Sequence, residues 1–350
     1  MKKIVDKNYC MSSFLTFRCI VDNNKTFQEG IEQKTYKPVA SENQMACITA
    51  KDIDISIRKQ LENVDLSKAA ILLSGGIDSA ILASYMPKGM SAYTALCSAK
   101  GAVDETARAS NYCKINGLKH VVVDIKWEDY LECIDKLMLN DGCPVFANEP
   151  QVYKLAKIIK NDGFDTIIFG DNADMAFGGM DKMLSKDWTY DEWVERFTFV
   201  NPDDVLKEAV SMNNVYEKYK KGVKDIDYIS FINDIFSISS TGAYVNAFRL
   251  AEIKYYDPYA YMKMAEPLDL NRIRSGDSKY LLRDLFRMRY PRMEIPEKIA
   301  MARAVDQWLA GWDGPVRKEF KNANKIKNMT GEQKFLIYSL ERFLNLIESE

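Results

Sequence analysis

Short apolar runs alternate with helix-length segments between residues 69 and 170. The runs AAILL, MSAYTALC, HVVVDI and DTIIFG have the length of strands. Helices are predicted over residues 78–85, over DETARASNYCKIN and over EPQVYKLAKIIKN. Apolar strands separated by helices of roughly ten to fifteen residues are typical of parallel strands joined by crossover helices. The pattern therefore predicts an α/β fold with a doubly wound parallel sheet.

The chain on either side of this stretch has a different pattern. Residues 1–68 are predicted to form an N-terminal cap region, with a strand in SSFLTFRCIV and a helix in AKDIDISIRKQLENV. Residues 69–185 hold the predicted α/β domain, and residues 186–350 are predicted to form a mainly helical region. The sequence therefore predicts three regions around one sheet.

The composition excludes several classes of protein. The chain has 48 Lys and Arg against 50 Asp and Glu, so no overall charge draws it to nucleic acid or to an anionic membrane. No apolar run approaches the roughly 18 to 20 residues that span a bilayer, and no signal peptide is evident. The 7 cysteines form no CxxC pair, and the single histidine, His120, excludes a multi-histidine metal site. These features predict a cytoplasmic protein without a membrane partner, in which His120 has a structural role.

A glycine-rich turn, SGGIDS, follows the first predicted strand. Glycines let the backbone approach a ligand closely, and free N–H groups at the start of a helix favour an anion such as pyrophosphate. A lone aspartate would repel phosphate, so Asp78 is suited to hold a divalent cation that bridges the phosphates. The turn matches neither GxxxxGK(S/T) nor GxGxxG. It predicts a binding site for a magnesium nucleotide, with an ordinary glycine turn as the structural alternative.

SGGIDS is also the pattern of the PP-loop ATP pyrophosphatases, and FGDNADMAFGGMDK resembles the second signature of the synthetase domain of asparagine synthetases. The resemblance covers roughly residues 66–310 and is looser through YYDPYAYMKMAEPLDLNRIRSGDSKYLLRDLF. It implies a Rossmann-like fold and an enzyme that splits ATP into AMP and pyrophosphate. In such enzymes a carbonyl or carboxylate oxygen is adenylated, and a nucleophile then displaces AMP. ATP and Mg²⁺ are the implied cofactors.

The resemblance assigns the nucleotide to residues of the two motifs and to the end of the second strand. These residues are Ser74, Gly75, Gly76, Asp78, Ser79, Cys97 and Gly170. The first five would hold pyrophosphate, and Cys97 would line the adenine pocket. By the same resemblance, Asp78 and Asp174 would share magnesium.

The resemblance also implies catalytic residues. The family's catalytic glutamate falls at Asp171, which is one methylene shorter. Lys279 matches a basic position of the family, and the lysine that stabilises the adenylating transition state falls near Lys298 and Arg303. Cations are expected there because charge develops on the attacked phosphorus and on the departing pyrophosphate. For each of the three cations, a solvated surface charge is the structural alternative.

Two departures from the asparagine synthetases bear on the nucleophile. Lys2 stands where their glutaminase domain begins with cysteine, and the leading region is too short for that domain, so ammonia is expected from solution or from a partner. NDGCPVFANEP places Cys143 at a position that resembles the reactive cysteine of PP-loop tRNA thiolases. A thiol near cations and a helix start would have a lowered pKa, which suits persulfide chemistry. Cys143 is the first catalytic cysteine predicted and Cys113 the second, and a packed core thiol is the alternative for each.

The C-terminal region is predicted to supply the acceptor side. SKDWTYDEWVERFTFV, DIDYISFINDIFSISSTGAYVNAFR and YYDPYAYM are rich in aromatic and amide residues, which suits a planar ring, and an aromatic helical core is the structural alternative. No basic tract accompanies them, so a small molecule is favoured over nucleic acid. The favoured function is thiolation of a small heterocycle, such as guanine, with sulfur from sulfide or a donor protein. An amide-forming ligase and a non-catalytic nucleotide-binding protein are the alternatives, and a homo-oligomer is left open.

Overall fold

Five parallel strands form the central sheet of the computed structural model, which describes residues 3–299, 301–321 and 323–348. Their order across the sheet is Lys254–Tyr256, Thr166–Ile168, Ala69–Leu72, Ser91–Cys97 and Lys119–Ile125. Ile71 lies opposite Ile168 on one side and opposite Ala92 on the other. The predicted α/β fold with a doubly wound parallel sheet is confirmed.

The first central strand in the chain lies in the middle of the sheet. From Ala69–Leu72 the chain moves outward through Ser91–Cys97 to Lys119–Ile125. Thr166–Ile168 then begins the other half of the sheet, next to Ala69–Leu72. The strand order therefore reverses between Ala69–Leu72 and Thr166–Ile168, and such a reversal opens a crevice beyond the carboxyl ends of the strands.

Helices connect and cover these strands. The α-helices of the described residues are Lys7–Phe17, Ala50–Leu61, Ile77–Ala83, Thr106–Asn116, Trp127–Asp141, Asn148–Asn161, Ala173–Ala176, Tyr190–Phe197, Pro202–Val205, Asn213–Glu217, Tyr228–Phe231, Ser237–Leu250, Leu270–Arg274, Tyr280–Arg289, Val305–Trp308, Ala323–Lys327 and Gly331–Glu348. A π-helical segment, Ile232–Phe236, joins two of them. Within the three described ranges, none of these helices combines the length and the apolar character that crossing a membrane requires.

Short strands and 3₁₀ turns complete the structure. Three further strand pairs join Ile4–Val5 to Lys25–Thr26, Met45–Cys47 to Met262–Met264, and Lys220–Lys221 to Asp225–Ile226. The 3₁₀ turns are Ser41–Asn43, Leu66–Lys68 and Pro258–Tyr261. Because Met45–Cys47 pairs with Met262–Met264, the N-terminal region is tied to the last third of the chain. The division into three regions stays a prediction.

The strand predicted in SSFLTFRCIV is wrong. Most of that segment lies in the helix Lys7–Phe17, whose N-cap Asp6 accepts a hydrogen bond from Tyr9 N at 3.0 Å. The helix ends at Arg18, which adopts the left-handed conformation with φ of 63°. Residues 9–17 are all buried, so the helix has no polar face and its sequence lacks the amphipathic period of 3.6. A short apolar run of this kind cannot be told from a buried strand by periodicity.

Candidate active site

A cavity of about 210 Å³ lies at the reversal of strand order. Its lining includes Ser74 and Ser79, which follow the strand Ala69–Leu72, and Thr94 in the strand Ser91–Cys97. Gly170 and Asp171, which follow the strand Thr166–Ile168, also line it. A larger cavity, of about 820 Å³, lies among helices of the C-terminal region and has no lining residue in common with it. We place the candidate site at the smaller cavity, because both glycine-rich motifs meet there and the topology predicts a ligand at that edge.

The first motif forms a tight turn held by its serines. Ser74 Oγ and Ser79 Oγ lie 2.9 Å apart, and Ser79 Oγ also accepts a hydrogen bond from Ser74 N at 3.1 Å. Gly76 N donates to Ser74 Oγ at 3.1 Å. The helix Ile77–Ala83 begins after Gly76, which has no side chain to cap it. A helix start without a capping side chain suits an anionic ligand.

Tyr259 connects the first motif to the second. Its hydroxyl donates to the main-chain oxygen of Asp78 at 3.0 Å. Its ring packs so closely on Gly170 that a Cβ at that position would lie 2.9 Å from Tyr259 Cε2. Gly170 therefore has to be glycine for the two motifs to keep this separation.

Two carboxylates and a buried lysine form the charged end of the site. Lys279 Nζ lies 2.5 Å from Asp78 Oδ2 and also contacts Asp174 Oδ1. The Lys279 side chain is only 7% exposed, whereas that of Lys298, which lies 3.1 Å from Asp174, is 44% exposed. Burial alone would lower the pKa of Lys279, but Asp78 and Asp174 outweigh it and raise that pKa. Lys279 is therefore a permanent cation at this position.

The two carboxylates differ in their environments. Burial raises the pKa of Asp78, although Lys279 opposes the shift. Burial acts in the same direction on Asp174, but Lys279 and Lys298 together hold the pKa of Asp174 below its ordinary value. Asp78 Oδ1 is buried and has no hydrogen-bond partner among the described residues.

This donor set fits a hard divalent cation. Carboxylate oxygens are the protein ligands that Mg²⁺ takes, usually one or two of them together with substrate phosphates and water. Asp78 and Asp174 supply such oxygens, and Asp78 Oδ1 accepts no hydrogen bond from any residue that the structure describes. The described ranges contain no group of three or more His, Cys, Asp or Glu side chains placed to hold a metal. A cation held here would therefore take its remaining ligands from a bound nucleotide and from water.

Asp171 lies on the lining of the same cavity. Its Oδ2 accepts a hydrogen bond from Thr241 Oγ1 at 2.7 Å. Burial raises the pKa of Asp171 to about 7, and the nearby carboxylates Asp257, Asp174 and Asp78 act in the same direction. A carboxyl group in this state can accept or donate a proton at neutral pH.

The asparagine synthase family model matches residues 50–234, which is more than half of the 350 residues. This chain belongs to the asparagine synthase family. The match contains both glycine-rich motifs and ends before Lys279, and it confirms the resemblance to the synthetase domain. No curated protein matches the chain.

Membership of the asparagine synthase family supports an ATP pyrophosphatase type of enzyme with ATP-dependent adenylating ligase activity. Enzymes of this family use ATP and typically Mg²⁺. The cavity brings together Ser74, Asp78, Ser79, Asp171 and Asp174 from the two motifs. The family match thus coincides with the residues that the geometry groups around one crevice.

The predicted cysteines do not line this cavity. Cys143 is 2% exposed, and burial raises the pKa of its thiol well above the ordinary value, so the predicted lowering of that pKa is wrong. Cys113 is also buried, and burial raises its pKa to about 11. Cys97 lies behind the lining, where its Sγ donates to the main-chain oxygen of Ala302 at 3.4 Å. Among the described lining residues there is no thiol.

Arg303 and Lys298 both lie outside the lining of the cavity and have different partners. Arg303 Nη1 donates to Asn148 Oδ1 at 2.6 Å, and Arg303 Nε pairs with Glu332. The neighbouring Ala302 lines the cavity and Arg303 does not. Lys298 contacts Asp174 and the main-chain oxygen of Gly179, so of these two cations it lies nearer to the carboxylates.

Two residues of the site were not predicted as members of it. Thr241, on the helix Ser237–Leu250, positions Asp171, and Tyr259 holds the two motifs together. Both come from distant parts of the chain, and neither belongs to a recognisable motif. One feature of the sequence near Tyr259 indicated a fixed turn, namely Asp257 followed by proline. In the structure Asp257 accepts hydrogen bonds from Asn172 N at 2.8 Å and from Tyr259 N at 2.9 Å. An aspartate before proline at the end of a strand is typical of a turn with a fixed geometry.

Proposed function

We propose that the protein is an ATP-dependent ligase that adenylates a small-molecule acceptor and then forms an amide bond. The acceptor oxygen attacks the α-phosphorus of ATP, and pyrophosphate leaves. Ammonia or an amine then attacks the activated carbon, loses a proton, and displaces AMP with the acceptor oxygen. The observation that carries this proposal is Asp171, a carboxyl group on the cavity lining whose pKa burial raises to about 7.

Asp171 is suited to take the proton of a nitrogen nucleophile. Ammonia and amines are largely protonated at neutral pH and become nucleophilic only after they lose a proton. A general base is most effective when its pKa lies near the working pH. Thr241 donates to Asp171 Oδ2 at 2.7 Å and fixes the carboxyl group in orientation. Hydrosulfide needs no such base, so the site favours nitrogen over sulfur.

The positions of the cysteines also favour nitrogen over sulfur as the nucleophile. A persulfide carried by the chain would need a thiol that reaches the cavity, and no described lining residue is a cysteine. Cys143 and Cys113 are each 2% exposed, and burial raises the pKa of both thiols. Thiolation with sulfide from outside the chain stays as the second function to test.

The other residues bind and orient the nucleotide. The turn with Ser74 and Ser79 leads into the uncapped start of the helix Ile77–Ala83, and this helix start is proposed to bind pyrophosphate. Asp78 and Asp174 would hold Mg²⁺, which neutralises charge on the departing pyrophosphate when bound. The acceptor is proposed to be a small molecule with a flat or apolar part, because Phe169 and Tyr244 form part of the cavity wall.

The test measures the reaction products and not the binding of a ligand. The protein is incubated with Mg²⁺ and ATP, a panel of carboxylic acids and heterocycles, and ammonium, sulfide or hydroxylamine. AMP, pyrophosphate and the acceptor are followed by mass spectrometry. We expect AMP together with an amide or amidine. ADP in place of AMP would refute adenylation, and a thiolated acceptor as the main product would replace amide formation by thiolation.

Asp171→Asn tests the assigned step. The variant should lose product formation with ammonium but keep hydroxamate formation with hydroxylamine, which is largely unprotonated at neutral pH and does not need the base. Cys143→Ser is the matched comparison and should keep both products. If Asp171→Asn loses both products while it still binds ATP, Asp171 acts in adenylation instead.

A further inference from the structure

Lys279 occupies the space between the two carboxylates that are suited to a divalent cation. Its Nζ lies 2.5 Å from Asp78 Oδ2 and contacts Asp174 Oδ1 at the same time. The side chain is 7% exposed, so water screens these contacts poorly. An ammonium group therefore neutralises part of the charge that a metal ion would otherwise neutralise.

The backbone and the neighbouring residues hold Lys279 in this position. Lys279 has a φ of 53°, in the left-handed region that a residue with a Cβ rarely adopts, and it immediately precedes the helix Tyr280–Arg289. Gly179 packs directly against it, because a Cβ on Gly179 would lie 2.1 Å from Lys279 Cε and 2.0 Å from Asp174 Oδ1. The lysine is thus built into the site and is not a mobile surface charge.

One ammonium does not satisfy both carboxylates. Within the described part of the chain, Asp78 Oδ1 is buried without a hydrogen-bond partner although Asp78 Oδ2 contacts Lys279. Lys298, whose side chain is 44% exposed, contacts both Asp174 at 3.1 Å and Asp181 at 3.4 Å, so it compensates the charge of Asp174 only in part. The arrangement keeps affinity for a cation, but the ammonium stands in the position that the cation would enter.

We propose that Lys279 is the resident cation of the Asp78–Asp174 site and excludes divalent cations from it in the nucleotide-free protein. A divalent cation enters only as the ammonium leaves the two carboxylates. This inference concerns the carboxylate site and not the nucleophile of the proposed function. Its test needs no acceptor and no turnover, so either proposal can fail without the other.

Mn²⁺ binding to the nucleotide-free protein tests the proposal. Free Mn²⁺ is measured by electron paramagnetic resonance for the wild type, for Lys279→Met and for the double variant Lys279→Met/Asp174→Asn. We expect Lys279→Met to bind one Mn²⁺ about tenfold more tightly than the wild type, because the buried ammonium between the two carboxylates is then gone and only the exposed Lys298 still contacts Asp174. The double variant should lose that gain. Lys298→Met is the matched control, since Lys298 contacts Asp174 from an exposed position and its loss should change Mn²⁺ affinity much less.

Thermal unfolding gives a second measurement. Lys279→Met should unfold at a lower temperature than the wild type in chelator and should recover with Mn²⁺, whereas the wild type should respond little to Mn²⁺. If Lys279→Met does not fold, Lys279→Gln removes the same charge with a polar side chain, and the same gain is expected. Equal Mn²⁺ affinity of the wild type and the charge-removing variants would overturn the proposal, and so would a gain that survives in the double variant.

Discussion

Gly179→Ala should displace the side chains of Asp174 and Lys279 without unfolding the protein. Gly179 lies in the second motif, and its N–H donates to the main-chain oxygen of Asp174 at 2.8 Å. A Cβ at this position would lie 2.0 Å from Asp174 Oδ1, 2.1 Å from Lys279 Cε and 2.9 Å from the backbone α-carbon of Asp174. Ordinary van der Waals separation begins at 3.4 Å, so both side chains have to move. Because the third of these atoms belongs to the backbone, rotation of the side chains alone does not make room.

The size of the effect follows from these distances. Inserting one carbon into a packed site costs about 1–3 kcal/mol of stability, so the variant should fold. A misplacement of about 1 Å in a group that binds or orients a substrate can cost about 100-fold in rate. Because Asp174 and Lys279 must each shift by about that much, we expect AMP formation to fall by about 100-fold while the protein stays folded.

Urea unfolding and the AMP assay measure the two effects side by side. Gly311→Ala is the matched control, because a Cβ there would meet nothing within 4 Å. It should leave both stability and rate close to those of the wild type. If Gly179→Ala forms AMP within about twofold of the wild-type rate, the close packing of Gly179 on Asp174 and Lys279 has no bearing on adenylation.

Three further predictions concern titration and burial. Asp171 should contribute a loss of stability as the pH rises from 3.8 towards 7, because folded Asp171 keeps a proton that the unfolded chain releases. Urea unfolding of the wild type and of Asp171→Asn at a series of pH values should show this contribution as the difference between the two proteins. In Thr241→Val, the amide-forming rate should rise with pH at a higher pH than in the wild type, because the variant lacks a hydrogen bond that lowers the pKa of Asp171. An unchanged pH–rate profile would exclude Asp171 as the base. Cys143→Ser should cost about 1–3 kcal/mol of stability and keep AMP formation, whereas loss of product at normal stability would restore thiolation through Cys143.

The strands of the sheet were predictable where they contain an apolar run. The four predicted strands are present because apolar residues fill their central positions, as in Ala69–Leu72. The fifth, Lys254–Tyr256, lies at the edge of the sheet, has two exposed residues and contains no apolar run. The helix Trp127–Asp141 was not predicted, although its buried residues Tyr130, Ile134 and Leu137 follow the helical period.

The site was predictable only as far as the strands determine it. Both motifs follow parallel strands, so their side chains meet at one edge of the sheet. Lys279 reaches Asp78 across 201 positions of sequence, and its role between the two carboxylates depends on packing that no local pattern encodes. For Cys143, the resemblance to PP-loop tRNA thiolases suggested a position along the chain but not the direction of the side chain. The loop directs that thiol into the core, where it is 2% exposed.

The two lysines distinguish Asp174 from Asp171. Asp174 has Lys279 and Lys298 beside it, and these cations outweigh burial and lower its pKa. Asp171 lines the same cavity but has only the Thr241 hydroxyl, so burial and the neighbouring carboxylates raise its pKa to about 7. Acids whose environments move their pKa values apart are suited to different roles. Asp174 stays anionic and suits a cation, whereas Asp171 exchanges a proton near neutral pH. Since both residues are aspartates, their different pKa values come from their surroundings, and the two lysines lie beside Asp174.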